Sequence, residues 1–230
     1  MNTQNLSKEF LYQGFALILS IILVHAFYVS VVRPEAASII QEQQAMIEQD
    51  INYVPERSFY VIIRDFEQES CFILMLWAFA IMTLKAQSSI NERRLLQEDL
   101  IPIREGQSIK PEDSKDFLRQ LENLPESKRQ LLLPRVLMNG LKRFSTTKNV
   151  QDVSTSTHTM VESEADRLES ELSMIRYIAW AIPSIGFIGT VRGIGAALSL
   201  AHRAVDGDIS GVTQNLGVAF NSTFIALLIS

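Results

Sequence analysis

The stretch AIPSIGFIGTVRGIGAALSLA, residues 181–201, decides how the rest of the chain is read. It is apolar enough for a bilayer, yet it carries Pro183, four glycines, Thr190 and one fixed charge, Arg192. Gly186, Gly189, Gly193, Ala196 and Ala197 recur at steps of three to four, which places them on one narrow stripe of a helix. In lipid such a stripe lets helix backbones approach closely, because dispersion between packed surfaces replaces the hydrophobic effect. Pro183 removes one backbone hydrogen bond and permits a bend where neighbours satisfy the freed carbonyl. Arg192 admits two readings. One is a side chain that snorkels or forms a structural pair; the other is a functional counter-charge.

Three further apolar blocks surround this one. Leu11 to Val32 holds 22 residues without an acid, Lys or Arg, enough to cover the roughly 30 Å hydrocarbon core at about 1.5 Å per residue. A cleaved signal peptide would have a shorter apolar core behind a basic start, so a retained span is expected. Cys71 to Leu84 is a 14-residue run that becomes a span if the helix begins near Phe66 and Lys85 snorkels. The fourth block starts near Val212 and is still apolar at Ser230, which reads as a span cut short.

Charge near the span ends sets the expected orientation. Arg93 and Arg94 follow the second span and Arg176 precedes the third, so the residues between them are expected inside, with the N-terminus. Within that inner region Phe117, Leu118, Leu121 and Leu124, then Leu131 to Leu133, Val136, Leu137 and Leu141, keep helical spacing. Pro125 and Pro134 are expected to divide it into short helices. Met160 to Trp180 has neither Gly nor Pro and reads as one helix entering the third span, with Glu164 and Arg167 a minor i,i+3 pair.

Several function classes fall away. A net charge of −5 with scattered basic residues gives no basis for nucleic-acid binding, and the single Cys71 forbids an internal disulfide. His25, His158 and His202 lie far apart in sequence, so no metal site and no catalytic group is expected. GFIGTVRGIG lacks the preceding strand that a nucleotide-binding loop needs.

The fourth block brings Thr213, Gln214, Asn215, Asn221, Ser222 and Thr223 into or near the membrane. Thr213 to Asn215 are expected to cap the helix start, while Asn221 to Thr223 lie deeper and need partners or a wet cavity. The third and fourth spans contain no Asp, Glu, Lys or His. Any ion path here has hydroxyls and amides but borrows its titratable acid from another subunit. Thr190 either lines such a path or bonds back to its own helix and packs.

AIPSIGFIGTVRGI resembles the P-x-x-G-x-x-G-T-V-x-G-I signature of the MotA/TolQ/ExbB proton-channel proteins, with Pro183, Gly186, Gly189, Thr190, Val191 and Gly193 in register. GDISGVTQNLGVAFNSTFIAL is similar to the family's loop and last helix, its A-x-x-x-T-x-x-G/A-L pattern falling on Ala219, Thr223, Ala226 and Leu227. The resemblance covers about residues 155–230; Arg192 stands where the family usually has an apolar residue.

The resemblance implies an all-α, multi-pass protein of the bacterial inner membrane that forms a homopentamer around a dimer of single-span partners of the MotB/ExbD/ZorB type. That partner carries a membrane aspartate and a periplasmic anchoring domain. Thr190 and Thr223 would line the proton route beside the aspartate, and Pro183, Gly186, Gly189 and Gly193 would pack the core and meet the partner helices. The ion implied is a proton, with Na+ the alternative, and no cofactor is called for. The segments expected are 1–32 with the first span, 33–65 in the periplasm, 66–87, a cytoplasmic helical region 88–174, 175–201, a periplasmic loop 202–211, and 212–230. The extra leading span and the abrupt end suit the ZorA-like branch of phage-defence motors. The alternatives are a TolQ/ExbB-like energiser of outer-membrane processes and a non-conducting membrane scaffold.

Overall fold

A computed structural model describes residues 3–49, 53, 56–102 and 108–230, so parts of the expected 33–65 and 88–174 segments lie outside the described residues. Every regular element among the described residues is a helix. Four of these stretches are long and apolar enough to cross a membrane: Leu11–Ile47, Phe66–Leu95, Val150–Ser199 and Ser210–Ile229. The chain divides into two compact units, residues 1–82 with 174–230, and residues 83–173.

The first unit begins with helix α1 (Thr3–Phe27), which passes through a π-helical turn (Tyr28–Val32) into α2 (Arg33–Gln49). Pro34 gives a cause. It has no N–H for the carbonyl one turn back, and the helix widens just before it, with the Arg33 N–H bonding the Tyr28 carbonyl five residues earlier. Sequence reading left 33–65 without secondary structure; here most of its first half is helix. A short helix α3 (Phe59–Ile63) then leads into α4 (Phe66–Leu95), of which residues to 82 belong to this unit.

The second unit contains α5 (Ser114–Glu122), α6 (Glu126–Arg129), α7 (Leu132–Thr147) and α8 (Val150–Glu171). Pro125 does end α5 and caps α6, but Pro134 does not break the chain. It lies in the first turn of α7, where a missing N–H removes no helical bond. The Glu92 carboxylate accepts the Leu132 N–H at 3.0 Å and caps that helix start. Lys148, in the left-handed region at φ 55°, ends α7, and the Asn149 side chain accepts the Gln151 N–H to open α8. The resulting hairpin is clipped by Arg143 and Asp152 (2.9 and 3.1 Å) and by Asn139 donating to Ser156. Lys85 meets Glu171 at 2.7 Å, and Arg167 bonds both Glu164 and Glu171. The helix expected from Met160 starts ten residues earlier, at Val150, and Leu172 separates it from the next.

Back in the first unit, α9 (Ser173–Ser199), from Met174 onward, runs through Pro183 unbroken, and Ser184 bonds the Trp180 carbonyl. A short α10 (Ala201–Val205) and a turn at Gly207, φ 97°, precede α11 (Ser210–Ile229). The turn needs a residue at ease with positive φ, and glycine supplies it. The last helix sits between two apolar clusters. Ala226 packs with Cys71, Ile81, Ile178 and Ile182, while Ile225 packs with Tyr28, Val32 and Ile63. Outward, Leu11, Phe15, Ile18 and Ile22 form one bare apolar stripe on α1, and Phe187, Val191 and Leu198 are bare on α9. Surfaces of that kind fit lipid, not water.

Candidate functional site

The glycine stripe is where α9 and α11 meet. Ile178, Ile182, Gly186, Gly189, Gly193 and Ala197 are the buried residues of α9, spaced three to four apart. Facing them on α11 are Ala219, Ser222 and Ala226. At Gly189 the Ser222 side chain occupies the space a Cβ would need, and at Gly193 the Ala219 backbone does. The stripe therefore packs on the chain's own last helix. Gly186, Gly189 and Gly193 are buried against it, so within this chain their face is filled by α11.

That close approach brings the two predicted hydroxyls together. Thr190 Oγ1 and Thr223 Oγ1 form a short hydrogen bond across the seam. Thr190 also lies 3.2 Å from the Gly186 carbonyl and 3.1 Å from the Ala219 carbonyl, and Thr223 lies 3.3 Å from the same Gly186 carbonyl. Both side chains are half-buried. Thr190 thus bonds both back to its own helix and across to the last one. A hydroxyl both donates and accepts, so two in contact can hand a proton between them; two that share carbonyls can equally serve as a packing clip.

Beside the seam stands a charge cluster that sequence reading did not assemble. Arg192 Nε and Nη2 bond Glu67 Oε1 and Oε2 at 2.6 and 2.8 Å, joining α9 to the first turn of α4. Glu67 is nearly buried, while half of the Arg192 side chain is exposed. Two residues on, Glu69 accepts from His25 at 2.6 Å and from Arg33 at 2.5 Å. Between them Gln68 is fully buried, donating to the Ile62 carbonyl at 3.1 Å and reaching Ser222 at 3.4 Å. Asp65, just ahead of α4, has one carboxyl oxygen buried without a partner; burial pushes its pKa up, against the pull of Arg64 and Arg192.

Arg192 is thus paired with a carboxylate of its own chain, and the second candidate span contributes that carboxylate. The signal was in the sequence: DFEQES, residues 65–70, opens the second span, and its carboxylates are the natural counter-charges for an arginine placed inside the third. His25 has a carboxylate neighbour in Glu69, one that sequence spacing could not reveal.

The start of α11 also differs from expectation. Thr213 and Asn215 bond back to the carbonyls of Ile209, Ser210 and Gly211 and cap nothing. Ile209 is the N-cap residue, and Asp208 just ahead of it accepts the Ser210 hydroxyl at 2.6 Å and the Ser210 N–H at 3.2 Å; these bonds hold its carboxyl below the usual range.

Compared with known proteins, residues 128–230 match the MotA/TolQ/ExbB proton channel family. That region contains α7, α8 and the whole α9–α11 seam. No curated protein and no solved structure matches the chain.

Proposed function

From this premise, a membrane protein whose residues 128–230 match the MotA/TolQ/ExbB proton channel family, we propose a subunit of a motor driven by the proton-motive force. Five copies surround a dimer of single-span partners of the MotB/ExbD/ZorB type, each with a membrane aspartate and a periplasmic anchoring domain. Protons pass between that aspartate and the hydroxyls of Thr190 and Thr223, and the ring's rearrangement does mechanical work through residues 83–173. The chain sits in the inner membrane with its N-terminus inside. Its leading span favours the ZorA-like branch, in which the work serves phage defence.

One observation carries the reading. The two threonines assigned to the route from the family motifs touch each other, at a seam built for close approach by three glycines. In this reading the titratable acid comes from the partner; of the nearby carboxylates, Glu67 and Glu69 already hold cations of their own. A second reading, a non-conducting scaffold, draws on the same geometry: both hydroxyls also bond the Gly186 carbonyl and so could be packing groups alone.

The test is ion flux into vesicles holding the full-length protein and its single-span partner, compared with Thr190→Ala/Thr223→Ala, with assembly checked by native mass. Flux that needs the partner and is lost in an intact double variant supports the route. Equal flux in both removes the threonines from it, and no flux from an intact complex favours the scaffold. Replacing the proton gradient by a Na+ gradient decides the ion.

A further inference from the structure

A cavity of about 880 Å³ opens in the first unit between α2, the 56–64 segment and the outer half of α11. It belongs to none of the features above. Its walls change character along α11. Thr213 and Gln214 are polar, whereas Phe220 and Phe224, one turn apart and mostly exposed, are apolar. From Thr213 to Phe224 the helix rises about 16 Å, the length scale of an acyl chain segment and not of a small solute.

Charge is concentrated in the segment that faces this helix. Among the described residues, Arg57, Arg64 and the carboxylate of Glu56 line the cavity, so the described lining carries a net positive charge. Arg64 stands 3.9 Å from its neighbour Asp65, too far for a hydrogen bond, which leaves its guanidinium fork able to take an anion. Two candidate membrane spans begin beside the cavity. Asp65 and the start of α4 are beside it, Ser210 opens α11 at its rim, and Phe59 and Tyr60 nearby present exposed aromatic rings, as side chains at an interface do.

We infer that this cavity binds one phospholipid, its phosphate held by Arg57 and Arg64 and an acyl chain laid along Phe220 and Phe224. Anionic headgroups are preferred over zwitterionic ones, because the lining is cationic. A bound lipid would fasten the outer segment to the last helix through a ligand that the bilayer itself supplies. The inference needs only the chain's place in a membrane and stands whether or not ions are conducted.

The experiment is native mass spectrometry of the full chain after extraction from vesicles of equal phosphatidylglycerol and phosphatidylcholine. Retention of one phosphatidylglycerol per chain is expected. Arg57→Gln/Arg64→Gln should cut it at least about fivefold, the loss of charge-assisted hydrogen bonds, while Arg203→Gln, outside the cavity, leaves it unchanged. Arg57→Gln alone, on an exposed segment, provides a variant that keeps the fold and should lose part of the retention. Folded protein that retains no phospholipid overturns the proposal, as does displacement of the lipid by inorganic phosphate, which would mark a plain anion site. So does crosslinking of Arg57→Cys to a second copy, which would show that another subunit fills the space.

Discussion

Arg192 and Glu67, 125 residues apart in sequence, are bound through both carboxylate oxygens at 2.6 and 2.8 Å. Arg192→Ala strands a nearly buried carboxylate and should cost about 2–3 kcal/mol, less than a wholly buried pair because half the arginine meets solvent or headgroups. Arg192→Lys keeps the charge but not the fork, so only part of this returns. Detergent-denaturant unfolding of Glu67→Gln, Arg192→Gln and the double variant gives the coupling directly; strictly additive losses would show the pair does nothing. Asp65→Asn, which removes a charge that burial disfavours, should leave stability unchanged or raise it.

The glycine seam makes a sharper prediction. A methyl group at Gly186, Gly189 or Gly193 would come under 3 Å from α11 atoms, and at Gly193 these include the Ala219 backbone N and Cα. Alanine there should destabilise by about 1–3 kcal/mol, most at Gly193, whose neighbour cannot turn aside. Gly195 has nothing within 4 Å, so Gly195→Ala should be neutral or gain up to about 1 kcal/mol of helix propensity. Unfolding midpoints of the four variants provide the comparison; a uniform response would mean the seam is not close-packed.

The two threonines are not equivalent. Thr190 bonds Gly186, Ala219 and Thr223, while Thr223 bonds only Thr190 and the Gly186 carbonyl among the contacts described. Thr190→Val should therefore lower stability more than Thr223→Val, by roughly 1 kcal/mol, and Thr190→Ser should restore most of the loss. Flux measured on the same variants separates the roles. Should Thr223→Val abolish flux while barely moving stability, its hydroxyl conducts and does not merely pack.

Acid should loosen the α7–α8 hairpin. The Arg143 hydrogen bond holds Asp152 below the ordinary carboxylate range, so this pair's contribution is complete above the unfolded-state value and fades as pH falls through the lower, folded one. Hydrogen exchange of the first turn of α8 should speed up over that acidic window. The pH dependence should vanish in Asp152→Asn and shrink in high salt, as expected of an exposed pair.

Local periodicities were legible in the sequence; distant pairings were not. The stripe at Gly186, Gly189 and Gly193 could be read because helical repeat is a property of neighbours, yet its cover of Ala219, Ser222 and Ala226 on the last helix could not. Glu67 was invisible as a ligand of Arg192 for the same reason. Near the helix ends the errors were local competitions. Thr213 and Asn215 are good capping residues that stand beyond the Ile209 N-cap, and Pro134 is a breaker placed where a helix tolerates it. Val150 to Thr159 is rich in β-branched and hydroxyl residues that favour helix weakly, so α8 looked shorter than it is.

The π-helical turn at Tyr28–Val32 amounts to one residue more than a regular helix would use. Deleting Val29 would let the helix close up with little rotation beyond it, because five π-helical residues turn the chain about as far as four α-helical ones. Arg33 would keep its reach to Glu69, whereas removing a residue from the regular part of α1 would swivel the outer segment by about 100°. The turn thus takes up one residue's difference on the spot and spares the register of everything that follows.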